Sequence, residues 1–226
     1  MYISDFDNPL TEGIRDPGIF KAIFMAGPPG AGKNTVINKL GLAAYGLKLQ
    51  DVDHTMAMLI RRGYPINYEK SLGTTLRRQS LLQQQMLGLL INTTGRDAEN
   101  LMDLNKNLKK SGYDTFMLFV DVEKEVALRR IQQRPYTSTD PRDAGRPVDL
   151  DYFERAFEDS KRNIDFYALI FGDRFALVTN NEELTESSPK EVLDVTMKIA
   201  ARKIERFMRE PLNPIAQTIV NGLITS

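Results

Sequence analysis

A chain of 226 residues with 30 basic and 30 acidic side chains has no formal net charge, so no global field draws it to nucleic acid or an acidic membrane, and any such contact uses a local patch. The absence of cysteine excludes disulfides, thiolate zinc sites and cysteine nucleophiles, and fits a reducing, cytoplasmic setting. No run approaches the roughly 18 apolar residues of a membrane span, the first residues lack the basic region and apolar core of a signal peptide, and the length suits one medium domain.

Residues 1–18, with Asn8-Pro9, Gly13 and Asp16-Pro17-Gly18, read as an irregular N-terminal arm. The apolar run 19–26 predicts a buried strand, residues 34–40 predict a helix, and between them stands Gly27-Pro28-Pro29-Gly30-Ala31-Gly32-Lys33. A glycine-rich turn from strand to helix lets the backbone curl until successive N–H groups point at a polyphosphate. The helix N-terminus adds partial positive charge, and the lysine reaches the terminal phosphates. Gly27, Pro28, Pro29, Gly30, Ala31, Gly32, Lys33, Asn34 and Thr35 are therefore the expected nucleotide contacts. The hydroxyl residue that commonly follows such a lysine and holds Mg²⁺ is replaced by Asn34, whose amide oxygen is also a ligand type Mg²⁺ accepts.

Further along, short strands are expected at 47–52, 87–91, 115–120 and 175–178. Helices are expected at 55–62, 74–86, 97–110, 123–133, 150–171 and 189–209, with a polar loop at 135–147. Continuous apolar strands separated by helices predict an α/β fold, a parallel sheet covered by helices on both faces, with its ligand at the carboxyl ends of the strands. The tail 211–226 is apolar enough to dock, on its own domain in the simpler reading and on a protein partner in the other.

Phosphoryl transfer needs a carboxylate for the attacking hydroxyl, a metal, and cations around the moving group. Asp51 and Asp53 end the second strand, and Asp53 is the candidate base, its plainer reading being a helix cap. His54, the sole histidine, is adjacent and reads more simply as a hydrogen-bonding residue. Asn92 ends the third strand where a metal-positioning residue is expected, and Asp97 reads as a helix cap. Arg130 and Arg134 share a helix face beside Arg129, with Arg142 and Arg146 following. Together they suggest an arginine-bearing lid at about 129–148, the plain alternative being a solvated charged face.

These features resemble the zeta-toxin and polynucleotide-kinase branch of P-loop kinases, especially the zeta-toxin-like proteins encoded by bacteriophages. The resemblance runs from about residue 18 to 181 and rests on Phe24 to Lys33, Asp53, Thr94-Gly95-Arg96, Gly112-Tyr113-Asp114, Val126-Ala127-Leu128-Arg129-Arg130 with Arg134, and Gly145-Arg146-Pro147-Val148. It implies a three-layer, nucleoside-kinase-like P-loop NTPase sandwich spanning 19–210, with the loop on the central strand. It also implies ATP and Mg²⁺ as cofactors, Asp53 as base, Arg130, Arg134 and Arg146 as lid cations, and Asn34 and Asn92 on the metal. The expected activity is ATP-dependent transfer of the γ-phosphoryl group to a hydroxyl of a nucleic acid or nucleotide-type substrate. The alternatives are a zeta-type nucleotide-sugar kinase and a catalytically weak nucleotide-binding assembly module, which the departures at Asn34 and Asn92 favour.

Overall fold

A computed structural model describes residues 15–137, 149–181 and 189–224. Five strands, β1 (Lys21–Ala26), β2 (Lys48–Gln50), β3 (Leu89–Asn92), β4 (Asp114–Asp121) and β5 (Phe175–Thr179), form one parallel sheet in the order β2-β3-β1-β4-β5. The strand order reverses at β1, which pairs with β3 on one side and β4 on the other. Every residue of β1 is buried, because its two faces meet different cores. Ile23 and Met25 point to one, with Phe116, Leu118 and Val120 of β4. Ala22 and Phe24 point to the other, with Met117 and Phe119.

Nine helices among the described residues cover these faces. The first core is closed by α1 (Lys33–Lys39), α5 (Lys124–Thr137), α6 (Leu150–Arg162) and α8 (Pro189–Arg209), through Val36, Val126, Phe153 and Phe207. The second is closed by α4 (Ala98–Lys110), α7 (Ile164–Phe171) and α9 (Pro214–Ile224), through Leu101, Tyr167 and Val220. Helices α2 (Val52–Arg61) and α3 (Tyr68–Gln84) pack on each other beside β2, joined by a buried Thr75–Thr55 hydroxyl hydrogen bond of 2.8 Å. This is the three-layer sandwich that the apolar strands predict, with the phosphate loop following the central strand.

Some boundaries differ from the sequence reading, each for a local reason. Helix α3 begins six residues before the expected 74, since Asn67 caps it by accepting from the Lys70 amide at 2.8 Å, although its first turns show no apolar stripe. Helix α2 starts at Val52 because Asp51, not a later residue, is its cap. The single helix expected over 150–171 is two, broken at Asn163. Helix α5 continues to Thr137, so the first part of the expected lid is helix, anchored on the core by Ile131. The rest of the lid, Arg142 and Arg146 included, and the arm up to residue 14 lie outside the described residues. The tail docks on its own domain: Ala216 and Val220 are buried, and Asn213 donates to the Gly112 carbonyl at 2.7 Å.

At the amino ends of the central strands an ion-pair chain is sealed. Lys21 and Asp114 stand opposite in register with Nζ and Oδ2 3.1 Å apart. Arg174 reaches Asp114 Oδ1 at 3.0 Å and Glu210 Oε2 at 2.7 Å, tying α8 to the sheet. Burial alone would raise the Asp114 carboxyl, but the Lys21 charge and the hydrogen bonds from Arg174 and Lys21 hold it below its ordinary value. Its contribution to stability is therefore present above the ordinary carboxylate range and is lost as pH falls through the depressed folded value. Asp114→Ala leaves a buried lysine unpaired. We expect it to cost about 3 kcal/mol, seen as a fall of roughly 6–12 °C in the melting temperature at pH 7, with a smaller difference between mutant and parent at acid pH.

Candidate functional site

Because all five strands run the same way, the loops after β1, β2, β3 and β5 emerge along one edge. The loop after β1 is held in its curled form by backbone that only glycine adopts easily. Gly30 and Gly32 both have φ of +80°, and a Cβ on Gly32 would stand 2.4 Å from Asn180 Nδ2. That amide, arriving from the end of β5, donates to the Ala31 carbonyl at 2.8 Å. Arg130 on α5 donates to the Gly30 carbonyl at 3.3 Å and to the Asn180 carbonyl at 3.1 Å. The loop also meets the loop after β3, since the Gly27 amide donates to the Thr94 carbonyl at 3.3 Å. With its carbonyls engaged from outside, the loop keeps a fixed curvature before any ligand arrives.

Lys33 opens α1 and turns back over the loop, donating to the Gly27 carbonyl at 2.7 Å and the Pro28 carbonyl at 3.3 Å. Burial pushes its ammonium down to about 8, opposed by the carboxylates of Asp51 and Asp53 and reinforced by Arg134. The phosphate lysine, both acids after β2 and Arg134 of α5 thus share one electrostatic site. Asn34 and Thr35 are exposed on the first turn of α1.

The two aspartates divide their work. Asp51 Oδ1 accepts from the amides of Asp53 at 2.8 Å and His54 at 3.2 Å, capping α2, and Oδ2 accepts from Asn92 Nδ2 at 2.6 Å. With the cap supplied by Asp51, the capping role considered for Asp53 falls away, and Asp53 is an exposed residue of the first turn. Asn92 is thereby turned toward Asp51 and joins β3 to α2. Its Oδ1 is buried and accepts no hydrogen bond among the described residues. Asp97 caps α4, accepting from the Asn100 amide at 3.0 Å, as its position suggests.

The break at Asn163 serves this edge. Its Nδ2 donates to the carbonyls of Gly95 at 3.1 Å and Arg96 at 2.9 Å, and the Tyr167 hydroxyl donates to Gly95 at 2.8 Å, so α6 and α7 together clamp the loop after β3. Burial, with the Asp97 charge second, pushes the Tyr167 phenol up to about 12, so it remains a donor at any physiological pH. Asn180 and Asn163 were not singled out from the sequence. The available signal for Asn180 was its place at the end of the last strand, on the edge where the phosphate loop lies.

Lys33 provides a direct readout of this arrangement. Labelled at Cε and followed by NMR, it should titrate near pH 8 in the free protein. In Asp51→Asn the midpoint should move lower, because a charge that raises it is gone. Asparagine caps a helix about as well as aspartate, and rotation of the Asn92 amide would bring its oxygen to the new NH₂, so the fold is expected to survive.

The fold is shared with known structures. No curated protein matches its sequence significantly. Among solved structures it is similar to a chain of AvrRxo1-ORF1:-ORF2 with ATP, at 17% identity over 78% of this chain and 63% of that one, with a TM-score of 0.60. It is similar also to a chain of the same pair with sulphate ions, at 16% identity over 81% and 76% and a TM-score of 0.59. A third is a structure of the PezAT chromosomal toxin-antitoxin system of Streptococcus pneumoniae, at 16% identity over 84% and 87% and a TM-score of 0.50. The chain thus spans just under two thirds of the ATP-bound AvrRxo1 structure. At these identities the likeness is one of fold. The family model described as Zeta toxin matches residues 74–186, half of the sequence, from α3 through β5 and beyond. The chain belongs to the zeta toxin family.

Proposed function

We propose that this protein is an ATP-dependent kinase that transfers the γ-phosphoryl group to a hydroxyl of a small nucleotide-type substrate. The observation that carries the reading is the convergence on Lys33: a preformed phosphate loop, two carboxylates and an arginine all act on one ammonium. The ATP-bound AvrRxo1 relative of the same fold supports ATP as the donor.

In this reading the loop amides and Lys33 hold the β- and γ-phosphates, and Lys33 exchanges its bonds to Gly27 and Pro28 for phosphate oxygens. Arg130 keeps the loop in shape, and Arg134, one turn further along α5, offers its guanidinium to the equatorial oxygens of the moving group. Arg146 would join from the neighbouring segment. The acceptor oxygen forms the new P–O bond as the bond from the γ-phosphorus to the β–γ bridging oxygen breaks and ADP leaves, and the hydroxyl proton passes to the Asp53 carboxylate. Asp51 positions that carboxylate by fixing the first turn of α2.

For Mg²⁺ the donor set fits a lightly held ion. No three His, Cys, Asp or Glu side chains gather as a metal site among the described residues, whereas Mg²⁺ in phosphoryl-transfer sites takes one or two protein oxygens and fills its shell with phosphate and water. Asn34 at the start of α1 is the residue we assign to it. When bound, the ion would neutralise charge on the β- and γ-phosphates. Both oxygens of Asp51 are already engaged, and Asn92 is tied to it, so we assign that pair to positioning.

The test is γ-labelled ATP offered with nucleosides, nucleotide sugars and 5′-hydroxyl oligonucleotides. Label should reach one class. Lys33→Ala should abolish transfer and weaken ATP binding, and Asp53→Asn should leave ATP binding within about twofold while slowing transfer by about 10²–10⁴, the usual weight of a general base. ATP bound without transfer to any acceptor, in wild type as in Asp53→Asn, would replace the kinase reading by a binding module. A second measurement follows from the lysine. Its free ammonium loses charge above pH 8 and a bound polyanion favours the charged form, so ATP affinity should fall as pH rises from 7.5 to 9.5, toward about tenfold per unit. Calorimetry in buffers of different ionisation enthalpy should show proton uptake on binding.

A further inference from the structure

Beside the phosphate loop, at the carboxyl ends of β2 and β3, a cavity of about 340 Å³ opens between α2, α3 and α4. Val52, which lies between Asp51 and Asp53 in the chain, is part of its wall. Resting on the kinase reading above, we infer that this cavity receives a neutral, hydrogen-bond-donating group of the acceptor, of nucleoside size, and that Gln50 and Asn92 determine its specificity.

Three observations point there. First, among the described residues the lining holds no lysine, arginine or histidine, and its one charged residue is Asp97, an anion already capping α4. A phosphate placed in it would be desolvated with nothing to neutralise it. Second, each of the two amides leaves its acceptor oxygen unmet, Gln50 with both of its N–H groups engaged and Asn92 with one of its two. Gln50 Nε2 donates to the carbonyls of Lys48 at 3.2 Å and Leu49 at 2.9 Å, and Asn92 Nδ2 donates to Asp51 Oδ2 at 2.6 Å. Rotating either amide would set oxygen against oxygen, so the orientation is fixed by the neighbours. Gln50 Oε1 and Asn92 Oδ1 are both buried with no hydrogen-bond partner among the described residues, and Gln50 as a whole is only 2% exposed. An unmet buried acceptor is costly, and a ligand N–H or O–H that satisfies it is selected over a group offering only further acceptors. Third, much of the wall is apolar, with Phe24, Leu72, Ile91 and Leu104 beside the uncharged polar Thr75, Gln79, Thr93 and Asn100, and Tyr68 stands exposed at the rim. Such a wall suits the faces of a ring, and the volume lies at the small end of small-molecule sites.

The shared chemistry is a compact neutral ring bearing N–H or O–H donors, which a nucleobase or a sugar can supply. The experiment uses the full chain with a non-hydrolysable ATP analogue present, titrated by calorimetry and ligand-observed NMR with the four ribonucleosides, with glucose, and with a 5′-hydroxyl oligothymidylate. We expect a nucleoside or glucose to bind, the pattern among them naming base or sugar as the recognised part. We expect Gln50→Leu to weaken that probe about tenfold, the measure of one lost buried hydrogen bond. Leu76→Trp at the exposed rim, which asks nothing of the core, should weaken it at least as much, with the analogue's own affinity as internal control. Failure of the analogue to bind would sink the kinase reading and this inference with it. If the analogue binds and no neutral probe does, or a bound probe ignores both variants, the cavity reading alone is overturned. Oligothymidylate binding that Leu76→Trp weakens, with the neutral probes inert, would overturn it in favour of a polyanionic acceptor.

Discussion

A strand buried on both faces can satisfy its backbone only through its neighbours, and β1 is such a strand from Lys21 to Ala26. Its pairing with β3 and β4 is therefore obligatory, and because both pairings are parallel the chain must leave β1 at the same edge where it leaves β2, β3 and β4. The chemistry follows from that constraint. Residues 27–33, 51–53, 92–97 and 180–181 are far apart in sequence, yet each is the first thing the chain does on leaving a strand. The ion pair between Lys21 and Asp114 works at the other end: two charges placed opposite each other in register oppose any slip of β1 against β4, a slip that would also displace the loop.

Within the site, rigidity comes from side-chain amides, two acting on backbone and one on a carboxylate. Asn180 holds Ala31, Asn163 holds Gly95 and Arg96, and Asn92 holds Asp51. Amides suit this work because they carry no charge that would compete with a phosphate for Lys33. The charged groups that act on Lys33, two acids against one arginine, only partly offset the burial that pushes its ammonium down to about 8. A cation in that condition responds strongly to an arriving polyanion.

Much of this was legible in the sequence. The alternation of buried runs with helical spacing gave the sheet and its cover, and the glycine pattern placed the loop. Asp97 as a cap was readable because it depends on near neighbours, and the inward docking of the tail because its own apolar residues call for cover. What was not readable depends on distant partners. The early start of α3 lacks an apolar stripe, since that helix packs its buried polar residues Thr75 and Gln79 toward α2 and the cavity. The break at Asn163 has no glycine or proline to announce it, because it is dictated by carbonyls some seventy residues away. For the aspartates, sequence position could not say which of the two caps α2. Nor could it show that Arg130 bonds the Gly30 carbonyl of the loop, a contact one hundred residues apart in the chain.

Helix α5 carries both Arg130 and Arg134, one turn apart, the first on the loop backbone and the second in the field of Lys33. The shape of the loop and the position of its cation thus depend on a single rod: any movement of α5 shifts Arg130 and Arg134 together. Descendants of this sequence cannot tune the two separately by moving the helix. Variation should therefore be borne by side-chain length and by the segment beyond residue 137, while the packing of Val126, Ala127 and Ile131 that sets the rod's pitch is held under common selection with the loop it serves.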